Sequence, residues 1–231
     1  MGNDKIETDK YTVYFEDCIS GMKKYIPDNS IDFIITDPPY GVGKDFEKDI
    51  DLNYTIRASF LELFKKLKNN KFFTYTCPCN KIDFFIEATK SAGFKFERIL
   101  FYYKKSKFTD VWIGWLLKSE AILIFSKGRP NKSNSNHKKY YHDVYEVDSP
   151  NEDSPTFIAH QSTKDIEVWR HLISVLSKEG DVVLDPFLGS GTTTYACRFL
   201  NRKCIGFEIK INYKELIEKR MKQTLLFGRV G

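Results

Sequence analysis

The chain has 231 residues, of which 42% are hydrophobic, 15% aromatic and 29% charged; this excludes disorder and leaves room for one substantial domain with a small insertion, not two full domains. The net charge of +5 suits a polyanionic partner without requiring one. No apolar run approaches the roughly 18 residues needed to span a membrane, and the opening MGNDKIETDKY lacks the apolar centre of an export signal.

Ile6 stands where a myristoylation signal prefers Ser or Thr. Five cysteines without an export signal predict reduced thiols and a cytoplasmic location. Cys77-Pro78-Cys79 is the one close pair, and with no second pair at ligand spacing no zinc site is expected.

Taken in chain order, the hydrophobic pattern alternates between strand and helix, which predicts an α/β sheet. Tyr11 to Phe15 reads as a strand and Cys18 to Tyr25 as a short helix. Ser30-IDFIIT is a nearly continuous apolar run ending at Asp37, the pattern of a strand buried on both faces. Asn53 to Lys68 carries a helical stripe of Ile56, Phe60, Leu63, Phe64 and Leu67. KFFTYT predicts a strand, Lys81 to Ser91 a helix, Phe94 to Tyr103 a strand and Ala121 to Phe125 another. Residues 128–155, rich in Asn, Ser, Lys, Tyr and Pro, read as a long surface excursion. Helical periodicity returns at Ile166, Trp169, Leu172, Ile173 and Leu176; then follow the strand DVVLD, a helix from Thr192 to Leu200, the strand KCIGFEI and a closing helix from Asn212 to Thr224.

Ligands of open α/β sheets bind at the carboxyl ends of strands, and two strands here end in unusual sequences. Asp37-Pro38-Pro39-Tyr40 follows IDFIIT; its prolines fix φ and donate no hydrogen bond, so they stop the strand in a rigid turn between an acid and an aromatic ring. Asp185-Pro186-Phe187-Leu188-Gly189-Ser190-Gly191-Thr192 follows DVVL, and its glycines let a ligand approach the backbone where a helix begins. No Lys follows as in a Walker loop, and Thr194 stands where a dinucleotide motif has its third glycine. Glu208 lies 17 residues beyond Gly191 at the end of CIGFE, where an acid can accept hydrogen bonds from ribose hydroxyls. The two features predict a nucleoside cofactor without a pyrophosphate.

DPPYG followed far downstream by DPFLGSGTT and GFE resembles the DNA amino-methyltransferases, in the permuted class whose catalytic motif precedes its cofactor motif. The resemblance extends over nearly the whole chain, including FEDCISGMKKYIPDNSIDFIITDPPYG, FYYKKS and SEAILIFSKGRP. It implies a Rossmann-like S-adenosylmethionine-dependent methyltransferase sheet with helices on both faces and a small target-recognition insertion. It implies catalysis by Asp37, Pro38, Pro39 and Tyr40. For the cofactor it implies Phe187, Gly189, Ser190, Gly191 and Thr192 with Asp185 and Asp37 near the methionine end, Glu208 on the ribose, and Asp17 and Cys18 by the adenine. His160, Ser162 and Lys164 match a segment near the methionine carboxylate, but Gln161 and Asp165 replace that segment's usual prolines and Ser162 its usual Thr.

An exocyclic amine conjugated to a ring is a poor nucleophile, and an acceptor on its hydrogens helps it rehybridise and attack. The implied reaction is methylation of adenine N6 on a flipped base of double-stranded DNA, with cytosine N4 as the alternative, for which a Ser at position 37 is the more usual residue. No covalent intermediate is needed, and Cys79, although Pro78-Cys79 has the look of a C5-cytosine nucleophile, reads as a core cysteine at a strand end. Recognition is expected from residues 104–118 and 128–158, with Lys104, Lys105, Lys107, Trp112, Trp115, Lys127, Arg129, Lys132, His137, Lys138, Lys139, Tyr140 and Tyr141 as phosphate and base contacts. The loop Gly43 to Asp51 is a candidate lid. So short a recognition region predicts a short target or the help of a second copy, and a cognate restriction endonuclease is a further expected partner. The competing readings are methylation of RNA or a protein amide (which usually has Asn at position 37), a non-catalytic DNA-binding relic and, more distantly, a nicotinamide oxidoreductase.

Overall fold

The computed structural model describes residues 5–39, 52–105, 110–131, 141–147 and 165–222. Its strands are β1 (Lys5–Glu7), β2 (Tyr11–Tyr14), β3 (Ile31–Thr36), β4 (Leu67–Pro78), β5 (Lys95–Lys104), β6 (Asp110–Trp112), β7 (Trp115–Leu117), β8 (Ser119–Lys127), β9 (Val144–Val147), β10 (Val182–Asp185) and β11 (Lys203–Phe207). The helices are α1 (Cys18–Tyr25), α2 (Leu52–Lys66), α3 (Ile82–Ser91), α4 (Ile166–Leu176), α5 (Thr192–Phe199) and α6 (Lys214–Lys222). Short 3-10 turns at Cys79–Lys81 and Ile211–Tyr213 lead into α3 and α6, so both helices start later than periodicity alone suggests.

The main sheet has the order β1-β2-β11-β10-β3-β4-β8-β5-β9 among the described residues. Strands β2, β11, β10, β3 and β4 are mutually parallel, whereas β8 runs antiparallel between β4 and β5. Side chains alternate between two cores, as the pleat requires. Ile34, Phe73, Tyr75, Leu123 and Leu184 pack with Phe60, Leu63 and Phe85 from α2 and α3. Phe33, Ile35, Ile122, Ile124 and Val183 pack with Trp169, Leu172 and Ile173 of α4 and Ala196 of α5. Helices therefore cover both faces, and the central strand β3 is buried along all six residues.

Three features differ from the sequence expectation. Residues 144–147, within the expected excursion, form β9 and pair in parallel with β5 from Phe101↔Val144 to Lys104↔Val147. A four-residue edge strand with only Val147 buried has too weak an alternation to be seen locally. The segment Lys5–Glu7 adds an antiparallel edge to β2. Within 104–118, β6 and β7 form a separate hairpin around Ile113 and Gly114, both at positive φ (46° and 81°).

β11 and β2 are parallel neighbours, with Gly206 opposite Val13, and the Glu208 N–H donates to the Tyr14 carbonyl at 3.0 Å. Among the described residues the last strand thus lies beside β2, so the permuted order interrupts no pairing at the centre of the sheet.

Candidate active site

The sheet reverses its order of construction between β10 and β3. The chain leaves β10 through α5 to reach β11 on one side, and leaves β3 through α2 to reach β4 on the other. Such a switch point opens a crevice at the carboxyl ends of the two strands. Asp185 ends β10, and Asp37 follows β3.

Asp185 is buried, and its Oδ1 accepts hydrogen bonds from Thr36 Oγ1 at 2.6 Å and the Phe187 N–H at 3.1 Å. Its Oδ2 accepts from Thr193 Oγ1, which itself accepts from Trp169 Nε1 at 2.9 Å. This chain of bonds ties α4, α5, β10 and β3 together. Asp37 is half-buried, and its Oδ1 accepts from Thr76 Oγ1 on β4. Pro38 is buried and Pro39 half-buried, so the turn is packed as well as conformationally restricted.

Burial pushes the Asp185 carboxyl from its ordinary 3.8 up to about 6; bonds from Thr193, Thr36 and Phe187 oppose the rise, and the nearby Asp37 adds to it. A folded pKa above the unfolded one means that the folded state binds the proton more tightly, so this contribution to stability falls as pH rises from about 4 to about 6. We expect the stability of the wild type relative to Asp185→Asn to decline across that interval and to level off above it, as calorimetry at a series of pH values would show. A constant difference would refute the shift.

The second strand end forms the other wall. The Leu188 N–H donates to the Phe207 carbonyl and the Gly189 N–H to Glu208 Oε2, both at 2.9 Å. The glycine-rich loop and the acid at the end of β11 are therefore directly bonded. Glu208 Oε1 accepts from the Lys210 N–H at 2.9 Å. Burial raises the Glu208 carboxyl above its usual range, and those backbone donors oppose the rise. Gly191 caps α5 at φ 82°, and a Cβ there would stand 3.2 Å from Ile217 Cγ1, so both backbone and space call for glycine. Ser190 and Thr192 are buried and Phe187 is half-buried. Arg220 of α6 donates to Thr192 Oγ1, and burial lowers its guanidinium to about 10.

Asp17 caps α1, its Oδ1 accepting from the Ser20 N–H at 2.9 Å. Cys18 is buried, with its thiol pushed by burial up to about 12, so it is a neutral apolar group. Gly21 of α1 packs so closely on Phe207 that a Cβ would collide with the ring, which brings the Asp17-Cys18 segment to the same strand end as Glu208.

Asp37, Pro38, Pro39, Asp185, Phe187, Gly189, Ser190, Gly191, Thr192, Glu208, Asp17 and Cys18 thus gather along the carboxyl ends of β3, β10, β11 and β2. Tyr40, the loop 43–51, His160, Ser162 and Lys164 lie outside the described residues. Sequence reading missed Thr36, Thr76, Thr193 and the indole of Trp169 as site residues. The signal that could have found one of them was Thr36 closing an otherwise apolar strand just before Asp37. It also missed Ile209 and Ile211, which stand 66% and 47% exposed just past Glu208.

Two of the expected DNA contacts are placed differently. Lys127 is buried at the opposite end of β8, donating to Asn29 Oδ1, the Phe64 carbonyl and the Leu67 carbonyl at 2.9, 2.7 and 2.8 Å. Its charge meets the carboxyl end of α2 and is unavailable to phosphate. Arg129 follows at that same far end, its N–H held by Asn70 Oδ1. Lys104 and Lys105 pair with Glu120 and Glu146. Cys79 is exposed and not part of the core, because the strand gives way to a 3-10 turn there. Its thiol is raised by partial burial and by Glu120, the opposite of what a nucleophile needs.

Two solved structures share this fold: the M1.HpyAVI complex with S-adenosylmethionine (TM-score 0.71, 22% identity, 92% of this chain and 100% of that one) and the cytosine-N4-specific PvuII DNA methyltransferase (TM-score 0.75, 19% identity, 98% and 92%). Both likenesses are in fold and extend over nearly the whole chain. The family described as DNA methylase, of the N6/N4 type, matches residues 31–219. The Type II methyltransferase M.HpaI of Haemophilus parainfluenzae is 30% identical over 231 aligned positions, covering 88% of this chain and 73% of that relative. The chain belongs to this family of DNA methyltransferases. Among the described residues no helix is long and apolar enough to cross a membrane.

Proposed function

We propose that the chain methylates the exocyclic N6 of an adenine turned out of double-stranded DNA. The observation that carries this reading is Asp37, set by a two-proline turn beside the cofactor crevice and braced from β4.

The residues present suit S-adenosylmethionine. Glu208 spends one lone pair of each oxygen on a backbone N–H and keeps others for the two ribose hydroxyls. The exposed Ile209 and the apolar Cys18 segment suit the adenine ring, and Phe187 with the backbone of Gly189 and Gly191 suits the methionine end. The bound cofactor supplies a methyl group on a sulfonium, ready for in-line displacement. Asp37, with the Pro38 carbonyl, accepts hydrogen bonds from the adenine amino group and stabilises the positive charge that develops on nitrogen as it attacks. Tyr40 offers the base a ring to stack on.

An Asp at position 37 favours adenine, whereas the shared fold accommodates both bases and does not discriminate. In this reading residues 104–118 and 128–158 contact the duplex and the loop 43–51 closes over the base. The protein works in the cytoplasm, and its protein partners are a second copy of the chain and a cognate restriction endonuclease.

Single-molecule sequencing of DNA from a methylation-free host expressing the chain tests the reading. N6-methyladenine at one short sequence is the expected result. N4-methylcytosine would replace the base, and the absence of any methylation would overturn the reading. Glu208→Ala should weaken cofactor binding by about 10- to 100-fold, since hydrogen bonds to a charged group contribute about 1.5–3 kcal/mol. Calorimetric titration with S-adenosylmethionine would show this, and unchanged affinity would exclude the ribose role.

A further inference from the structure

We infer that Thr76 is a positioning residue for methyl transfer, acting through Asp37. The inference rests on the catalytic reading of Asp37 given above. An acceptor that must meet the amino group in one direction gains little from a rigid backbone alone, because χ1 and χ2 of an aspartate still turn. The proline turn fixes the backbone of this segment and leaves the carboxylate plane to be set by something else.

Thr76 supplies that restraint from the sheet. It lies near the end of β4, one residue past Tyr75, which pairs with Thr36, so it stands beside Asp37 across the strand boundary. On its other side it is opposite Ile122 of β8, in the middle of an unbroken register from Lys71↔Lys127 to Pro78↔Glu120. Its side chain is 1% exposed, and its neighbours Tyr75 and Cys77 are equally buried. A β-branched residue so enclosed holds its χ1, and its hydroxyl becomes a fixed donor aimed at Asp37 Oδ1. The arrangement parallels that of Asp185, whose two oxygens are held by Thr36 and Thr193. The two acids at the switch point are thus oriented by threonines of the sheet and of α5, and Asp37 depends on Thr76 from the strand on its outer side.

Positioning of this kind acts on the rate of the chemical step and leaves ground-state binding alone. The experiment uses the full chain and measures tritium incorporation from labelled S-adenosylmethionine into genomic DNA of a methylation-free host, with KM for the cofactor, cofactor affinity by titration and Tm in parallel. Thr76→Val keeps the shape and removes the donor. We expect kcat to fall about 10- to 100-fold with cofactor KM and affinity within about twofold, and Thr76→Ser to restore the rate to within about threefold of wild type. Should Thr76→Val fail to fold by its Tm, Thr76→Ala removes the same donor and carries the comparison. A wild-type rate in the folded donor-less variant, a loss expressed in KM instead of kcat, or a Thr76→Ser as impaired as Thr76→Val would each overturn the inference. Asp37→Ala separates the two levels: if it stays active the catalytic reading itself is wrong, and if it is inactive while Thr76→Val is not, only the role of Thr76 is refuted.

Discussion

Asp37→Ala is expected to lower methyl transfer by about a hundred- to a thousand-fold, the loss typical when one preorganised electrostatic partner of a transition state is removed. The change deletes the acceptor for the amino hydrogens but touches no core packing, since Asp37 sits half-buried at the mouth of the crevice. Thr76 loses an acceptor, which costs about 1–3 kcal/mol. Affinity for DNA should therefore survive while turnover does not. Gel-shift and tritium-incorporation measurements on one preparation would show the split. A variant that keeps full activity would exclude Asp37 from the chemistry, and a wild-type chain that binds DNA without methylating it would instead identify a relic.

Trp169→Ala should produce the largest stability loss. The side chain is 2% exposed and packs among Phe33, Ile35, Val183 and Ala196, where the first strand end, the second and α5 converge. Removing a fully buried Trp costs about 3–5 kcal/mol through lost burial and the cavity left behind. For a chain of this size that corresponds to a fall in Tm of roughly 6–20 °C. Trp169→Phe keeps part of the packing while losing the indole N–H that donates to Thr193 and the volume of the five-membered ring, so its cost should be smaller, about 1–3 kcal/mol. Calorimetry on the pair separates the two contributions. Equal losses would mean that the hydrogen bond, and not the packing, dominates.

Both predictions show what could be read locally and what could not. Periodicity placed Trp169 on the buried stripe of its helix because side chains three and four residues apart share a face. That its indole donates to Thr193, and through it braces Asp185, depends on how α4 crosses α5 over the sheet. Lys127 makes the same point in reverse. In sequence it is a basic residue beside a polar excursion and reads as a phosphate contact; in the folded chain the antiparallel course of β8 carries it to the far end of the sheet, against the carboxyl end of α2. Strand β9 escaped notice because its pairing partner β5 lies about 40 residues earlier in the chain, and short edge strands carry little pattern of their own.

The sequence by itself determined the α/β class, the central buried strands and the order of the two strand-end motifs. These follow from short-range rules: hydrophobic period, proline and glycine backbone limits, and the functional groups that the motifs carry. Only the tertiary structure decided that the two motifs lie on adjacent parallel strands at the switch point, that Glu208 bonds to the Gly189 loop, and that threonines brace both acids. It also decided that Lys127 is held by Asn29 and the carboxyl end of α2. The physical reason is that sheet order and strand direction join residues far apart in sequence, and no local pattern records which strand will become whose neighbour.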